Sequence, residues 1–143
     1  MQNKYTENIK GIIEKGLVDI KVKEIEIDRT KLYTYWNVGK EIVKANKEDK
    51  IKYGNSYIKN LSIELTRLYG KGYDYTNLRR MKQLYLTFPN CGSLTRNFIT
   101  WTHLVNILPI KEENKRNYYI NLVNDNHLSV RELREEIKIK ADD

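Results

Sequence analysis

Apolar residues recur at helical spacing along almost the whole chain. Over residues 5–21, Ile9, Ile12, Ile13, Leu17 and Ile20 fall on one helical face. Gly11 and Gly16 each cost such a helix about 1 kcal/mol relative to Ala. The stretch from Val18 to Ile27 is ambiguous. Val18, Ile20 and Val22 alternate as in a strand, and so do Ile25 and Ile27, but the phase slips between Val22 and Ile25 and no hairpin turn follows. Helix is the better reading, with a short ribbon as the alternative. A second helix is expected from Glu24 to Asn46. Ile25, Leu32 and Gly39 keep a seven-residue spacing along it, as do Trp36 and Val43. A large aromatic beside a glycine lets another backbone come close. After a polar connection over 44–52, a third helix is expected from Asn55 to Tyr69, burying Ile58, Leu61, Leu65 and Leu68.

The most informative stretch is Gly70 to Pro89. Gly70 and Gly72 bracket a tight connection, since glycine enters left-handed backbone conformations without steric cost. Asp74 stands at an N-cap position, its carboxylate able to accept an orphan backbone N–H. Leu78, Met81, Tyr85 and Phe88 follow on one face, and Pro89 stops the helix. The opposite face carries Thr76, Arg79, Arg80, Gln83 and Thr87, and no acid follows Asp74 in the helix. Solvated helix faces usually mix both signs. Guanidiniums and amides are side chains that contact phosphates and base edges in a major groove. The helix before would brace the backbone while this one enters the groove, although the connection is longer than an ordinary helix–turn–helix turn.

The remaining chain continues the pattern. Asn90 to Asn97 reads as a loop, Trp101 to Leu108 as a short helix closed by Pro109, and a further helix starts at Lys111-Glu112-Glu113. Its apolar positions are Tyr118, Tyr119, Leu122 and Val123, and Asn124 to Asn126 reads as a turn. Ser129 and Glu132 form a capping box before the last helix, from which Val130, Leu133 and Ile137 point inward. Lys138 to Asp143 reads as a frayed polar tail. The expectation is an all-α, single compact domain of about seven helices over 1–143, with an N-terminal helix in 1–23.

Composition sharpens this picture. The 143 residues fit one domain, and 26 Lys+Arg against 19 Asp+Glu give a formal net charge of +7. The isoelectric point near 9.3 suits a polyanionic partner. A single cysteine, Cys91, allows no intrachain disulfide. No apolar run reaches the ~20 residues of a membrane span, and the N-terminus lacks an apolar signal core. A soluble cytoplasmic protein with no membrane partner is expected.

Catalytic chemistry finds little support. His103, His127 and Cys91 lie in no zinc-ligand spacing. G-x-S-x-G, P-loop and H-E-x-x-H motifs are absent. Glu136-Ile137-Lys138 matches the short half of a PD-(D/E)xK site, but on an expected helix rather than a strand, in a chain that is 31% charged. No catalytic residue, metal or cofactor is expected. Trp36, Trp101 and most tyrosines fit core positions, with Tyr73 and Tyr75 left as candidates for base stacking.

Several ordered stretches resemble one family. They are Tyr35-Trp36-Asn37-Val38-Gly39 with Ile42 and Val43; Tyr53-Gly54, Leu61-Ser62 and Leu65; and Gly72-Tyr73 with Asn77-Leu78-Arg79-Arg80-Met81, Tyr85 and Phe88-Pro89. Trp101-Thr102-His103, Arg116 with Tyr118-Tyr119, and Ser129-Val130-Arg131-Glu132-Leu133 complete the set. From about residue 24 to 139 the chain resembles the N-terminal helical domain of the YhcG-like family, whose longer members carry a C-terminal PD-(D/E)xK nuclease domain. Trp101 to Leu133 is also similar, more loosely, to helices that follow the helix–turn–helix in ParB-like proteins. The resemblance implies a helical module of DNA-processing systems in bacteria and their mobile elements. Asp74-Tyr75-Thr76 departs from the serine and basic residues the family often has there. Nothing matches the nuclease domain, so its activity does not carry over.

Two functions stand against each other. One is a module for nucleic acid, expected to be double-stranded DNA, contacting it through Lys71, Tyr75, Thr76, Arg79, Arg80, Gln83 and Thr87. The other is a protein-interaction module docking to a nuclease or another defence component, or a small phage-type inhibitor of such a system. Oligomeric state stays open, with a dimer among the options.

Overall fold

The structure is a computed structural model and describes residues 4–48, 54–90, 92–95 and 98–141. Among them there is no strand. The helices are α1 (Lys4–Glu48), α2 (Gly54–Tyr69), α3 (Tyr75–Thr87), α4 (Gly92–Thr95), α5 (Trp101–Ile107), α6 (Glu113–Asn126) and α7 (Val130–Ala141), with a 3₁₀ turn at Lys71–Tyr73. The all-α expectation holds, and so does the single core: buried side chains from α1 through α7 join one cluster.

The first correction concerns α1. The two expected helices are one, 45 residues long, or roughly 65–70 Å. The phase slip at Val22–Ile25 does not break it, and no ribbon forms there. No proline interrupts the stretch, and each backbone N–H can still reach the carbonyl four residues back. Its C-terminal part is the spine of the core, burying Leu32, Trp36, Ile42 and Val43. α3 lies against this part. A Cβ added at Gly39 would overlap the carbonyl of Met81, so only glycine allows the two backbones to approach this closely. The Trp36 indole N–H then donates to the Phe88 carbonyl at 2.7 Å, capping the end of α3.

Smaller corrections follow local chemistry. The helix carries through Lys44–Glu48, where a connection was expected, and the rest of that connection, 49–52, lies outside the described residues, as does Cys91. Leu94 is buried on the short α4, inside the stretch expected to be a loop. Asn124–Asn126 closes α6 instead of forming a separate turn, and His127, the residue after it, takes a left-handed conformation at φ 51°. α7 continues helical to Ala141 rather than fraying from Lys138. The Ser129 capping box forms as read: Ser129 N donates to Glu132 Oε1 at 3.0 Å, and Glu132 N to Ser129 Oγ at 3.1 Å. The Ser129 backbone N–H, and after it the Ser129 hydroxyl, hold the Glu132 carboxyl below its usual range.

His103 is built into the core. Thr100 N donates to its Nδ1 at 3.1 Å, and its Nε2 lies 2.8 Å from the Leu128 carbonyl. The first bond makes Nδ1 an acceptor, which leaves Nε2 to carry the proton and donate. One neutral ring thus caps α5 and ties it to the α6–α7 connection. Burial pushes its pKa down from 6.5, against smaller upward pulls from Leu128 and the charge of Asp28.

Candidate nucleic-acid interface

The connection into α3 is set by two residues. Gly70 has φ 99°, in the left-handed region, whereas Gly72 lies within the 3₁₀ turn and takes no positive φ. Of the two glycines, only the first uses its conformational freedom. Asp74 caps α3 as read from the sequence, its carboxylate accepting from Asn77 N at 2.9 Å. Leu78, Met81 and Leu84 are fully buried, with Tyr85 and Phe88 half-buried beside them. The acid-free face therefore points away from the core.

That face divides. Thr76, Arg79, Arg80 and Gln83 line one shallow groove of about 460 Å³, together with Lys82 and Leu86, over Ile58 of α2. Lys71, Tyr75 and Thr87 are not among its lining residues. Lys71 is exposed in the 3₁₀ turn, and Thr87 is half-buried at the far end of α3. Tyr75 sits at the head of the helix, and the Arg79 guanidinium lies 5.6 Å from its ring centroid. Tyr73 packs edge-on against Tyr35 and Tyr69, at 5.8 and 5.9 Å, so its ring braces the turn.

Charge in the groove is one-signed. Among the described residues, ion pairs join Lys10 to Glu7, Lys115 to Glu112 and Arg131 to Glu135. Neither Arg79 nor Arg80 takes part in one. Arg80 Nη1 is 3.4 Å from Asn77 Oδ1, a neutral side chain on its own helix. The carboxylates of Glu132, Glu135 and Glu136 on α7 do not pair with either arginine. Gln83 is differently placed from its sequence reading. Its Nε2 donates to the Leu108 carbonyl at 3.0 Å, so the side chain ties α3 to the end of α5. Lys82 is an addition to the sequence reading, although its spacing of three from Arg79 puts it on the flank of the same face.

The arrangement offers three cations, Arg79, Arg80 and Lys82, within one turn of one helix. It can neutralise phosphates, and Arg79 and Arg80, about 100° apart around the axis, can divide between backbone and base edge. No group of three or more His, Cys, Asp or Glu side chains suited to a metal ion occurs among the described residues. No described helix is long and apolar enough to cross a membrane.

A family model described as the DUF1016 N-terminal domain matches residues 8–141. The match starts well before residue 24, where the likeness read from the sequence begins, and takes in the N-terminal part of α1. No curated protein and no solved structure matches the chain.

Proposed function

We propose that this chain, which belongs to the DUF1016 N-terminal domain family, is a non-catalytic module that binds double-stranded DNA through the exposed face of α3. In this reading it serves a cytoplasmic DNA-processing or defence system of a bacterium or mobile element, alongside a nuclease. The observation that carries the reading is the cluster of Arg79, Arg80 and Lys82 along one groove, with no carboxylate on α3 and no ion pair to either arginine among the described residues. A face of one sign costs self-repulsion, which a polyanion relieves. The rigid seat of α3 on Gly39 and Trp36 suits groove binding, because a preorganised helix loses little freedom on docking.

The test is a duplex titration at several salt concentrations, with parent protein and an Arg79→Glu, Arg80→Glu variant whose melting is unchanged. Each phosphate left without its arginine should reduce the salt slope by about 1, so the variant should bind more weakly and with a shallower slope. Equal affinity and equal slope would remove α3 as the DNA face and leave the protein-docking reading in its place.

A further inference from the structure

The N-terminal part of α1, residues 4–31, buries none of its side chains in this molecule. Ile9, Ile12, Ile13, Leu17, Ile20 and Ile27 are all more than half exposed, as is Tyr5 at their head. They are not scattered. At about 100° per residue they form one stripe, turned roughly 120° around the axis from the face that Leu32, Trp36, Gly39 and Val43 bury. The body of this molecule therefore packs against a different side of the helix.

We propose that this stripe pairs, antiparallel, with the same stripe of a second copy of the chain. The spacing is that of a two-helix seam. Ile13, Ile20 and Ile27 repeat every seven residues, and Ile9 and Gly16 repeat every seven between them. A strict seven-residue repeat winds one helix around another.

The area is sufficient. At these exposures the stripe offers roughly 300–500 Å² of apolar surface per copy. Homodimer interfaces are about 65% apolar, which brings the whole contact to about 900–1,500 Å² and into the lower range of specific interfaces.

The antiparallel direction follows from what would face what. Parallel and in register, Gly16 meets Gly16 and leaves a gap, Lys23 meets Lys23 in the seam, and Asp19 meets Glu24 at its edge. Antiparallel, with Ile27 facing Ile9 of the second copy, Ile20 fills the space over Gly16 and Leu17 meets its own copy on the two-fold axis. Lys10 then lies beside Glu24, and the stem of Lys23 covers Ile13 while its ammonium reaches water. The one like-charge meeting, Asp19 with Asp19, falls at the solvated edge, where repulsion is screened. Within one chain, a Cβ at Gly16 meets nothing within 4 Å, so the glycine serves no contact inside the monomer.

The experiment is sedimentation of the full chain over a concentration series. Parent protein should form dimers, and Ile20→Glu should raise the dissociation constant ~100-fold or more, as expected for a charge placed twice at a buried interface centre. The core melt of the variant should match that of dilute parent protein. Direction is read separately in a Cys91→Ser background. An oxidised mixture of Ile9→Cys and Ile27→Cys chains should give mainly the mixed disulfide. A chain that stays monomeric at every concentration overturns the proposal and assigns the stripe to a helix of a different protein. Dimers indifferent to Ile20→Glu overturn it too, as do Ile9→Cys chains that mainly link to one another.

Discussion

The two parts of α1 share one helix and both carry an apolar stripe, yet meet opposite fates. From Leu32 onward most of its large apolar residues, Leu32, Tyr35, Trp36, Ile42 and Val43, are buried in the core, with Tyr33 the exposed exception. Before Leu32, equally apolar residues stand in water. Periodicity is therefore evidence of a helix and of a sticky face, but not of what the face meets. Angle is part of the difference: the stripe from Ile9 to Ile27 is turned to another side of the helix than Leu32 and Trp36. It is not all of it, since Val18 and Val22 point in nearly the same direction as Leu32 and Trp36 and are still exposed.

The largest effects should come from breaking the buried part. Gly39→Val forces side-chain atoms into the Met81 carbonyl and should lower stability by about 3 kcal/mol or more, read as a drop in denaturant midpoint. Leu32→Ala should cost about 2–5 kcal/mol. Ile27→Asn, a comparable loss of apolar surface one turn earlier, should stay within about 0.5 kcal/mol in dilute protein. If Ile27→Asn costs as much as Leu32→Ala, the projecting part is packed after all and the contrast fails.

Acid should sharpen the comparison more gently. His103 titrates below its unfolded value of 6.5 because burial disfavours its charged form. The unfolded chain then binds the extra proton first, so stability rises with pH across this window. It is fully present above about 6.5 and lost as pH falls below it. Hydrogen exchange should quicken on acidification in α5 and the core part of α1 relative to the projecting part. His103→Gln is less stable at pH 7 but should lose that pH dependence. The smallest effect sits in the projecting part. Gly11→Ala meets nothing within 4 Å and should raise helix content, gaining about 1 kcal/mol locally. Circular dichroism of the variant reads it.

Legibility follows the range of the interaction. The Asp74 cap, the Ser129–Glu132 box and the Leu78–Met81 face can be read because each depends on residues within one or two turns. The continuity of α1 is hidden at Val22–Ile25, because a slip in strand-like alternation looks like a break, although a helix passes through it without interruption. Leu84 and Lys82 escape the reading although their spacing is plain in the sequence. Contacts between distant segments leave no local mark. Gln83 reaches Leu108 across 25 residues, and His103 reaches Leu128 across the same span. The left-handed end of α6 at His127 is equally silent, since histidine is not the residue usually found there.

The bond from Trp36 to Phe88 also makes the protein its own optical gauge. The indole is 8% exposed, hydrogen-bonded to the end of α3, and edge-on to Tyr85 at 5.2 Å. Its excited state is sensitive to both contacts, so a shift of α3 on its seat changes the colour and yield of emission without any attached dye. Trp101, buried against Tyr35 at 5.0 Å, is the second emitter. Replacing it by phenylalanine leaves one tryptophan, placed at the joint between the long helix and the face proposed for DNA.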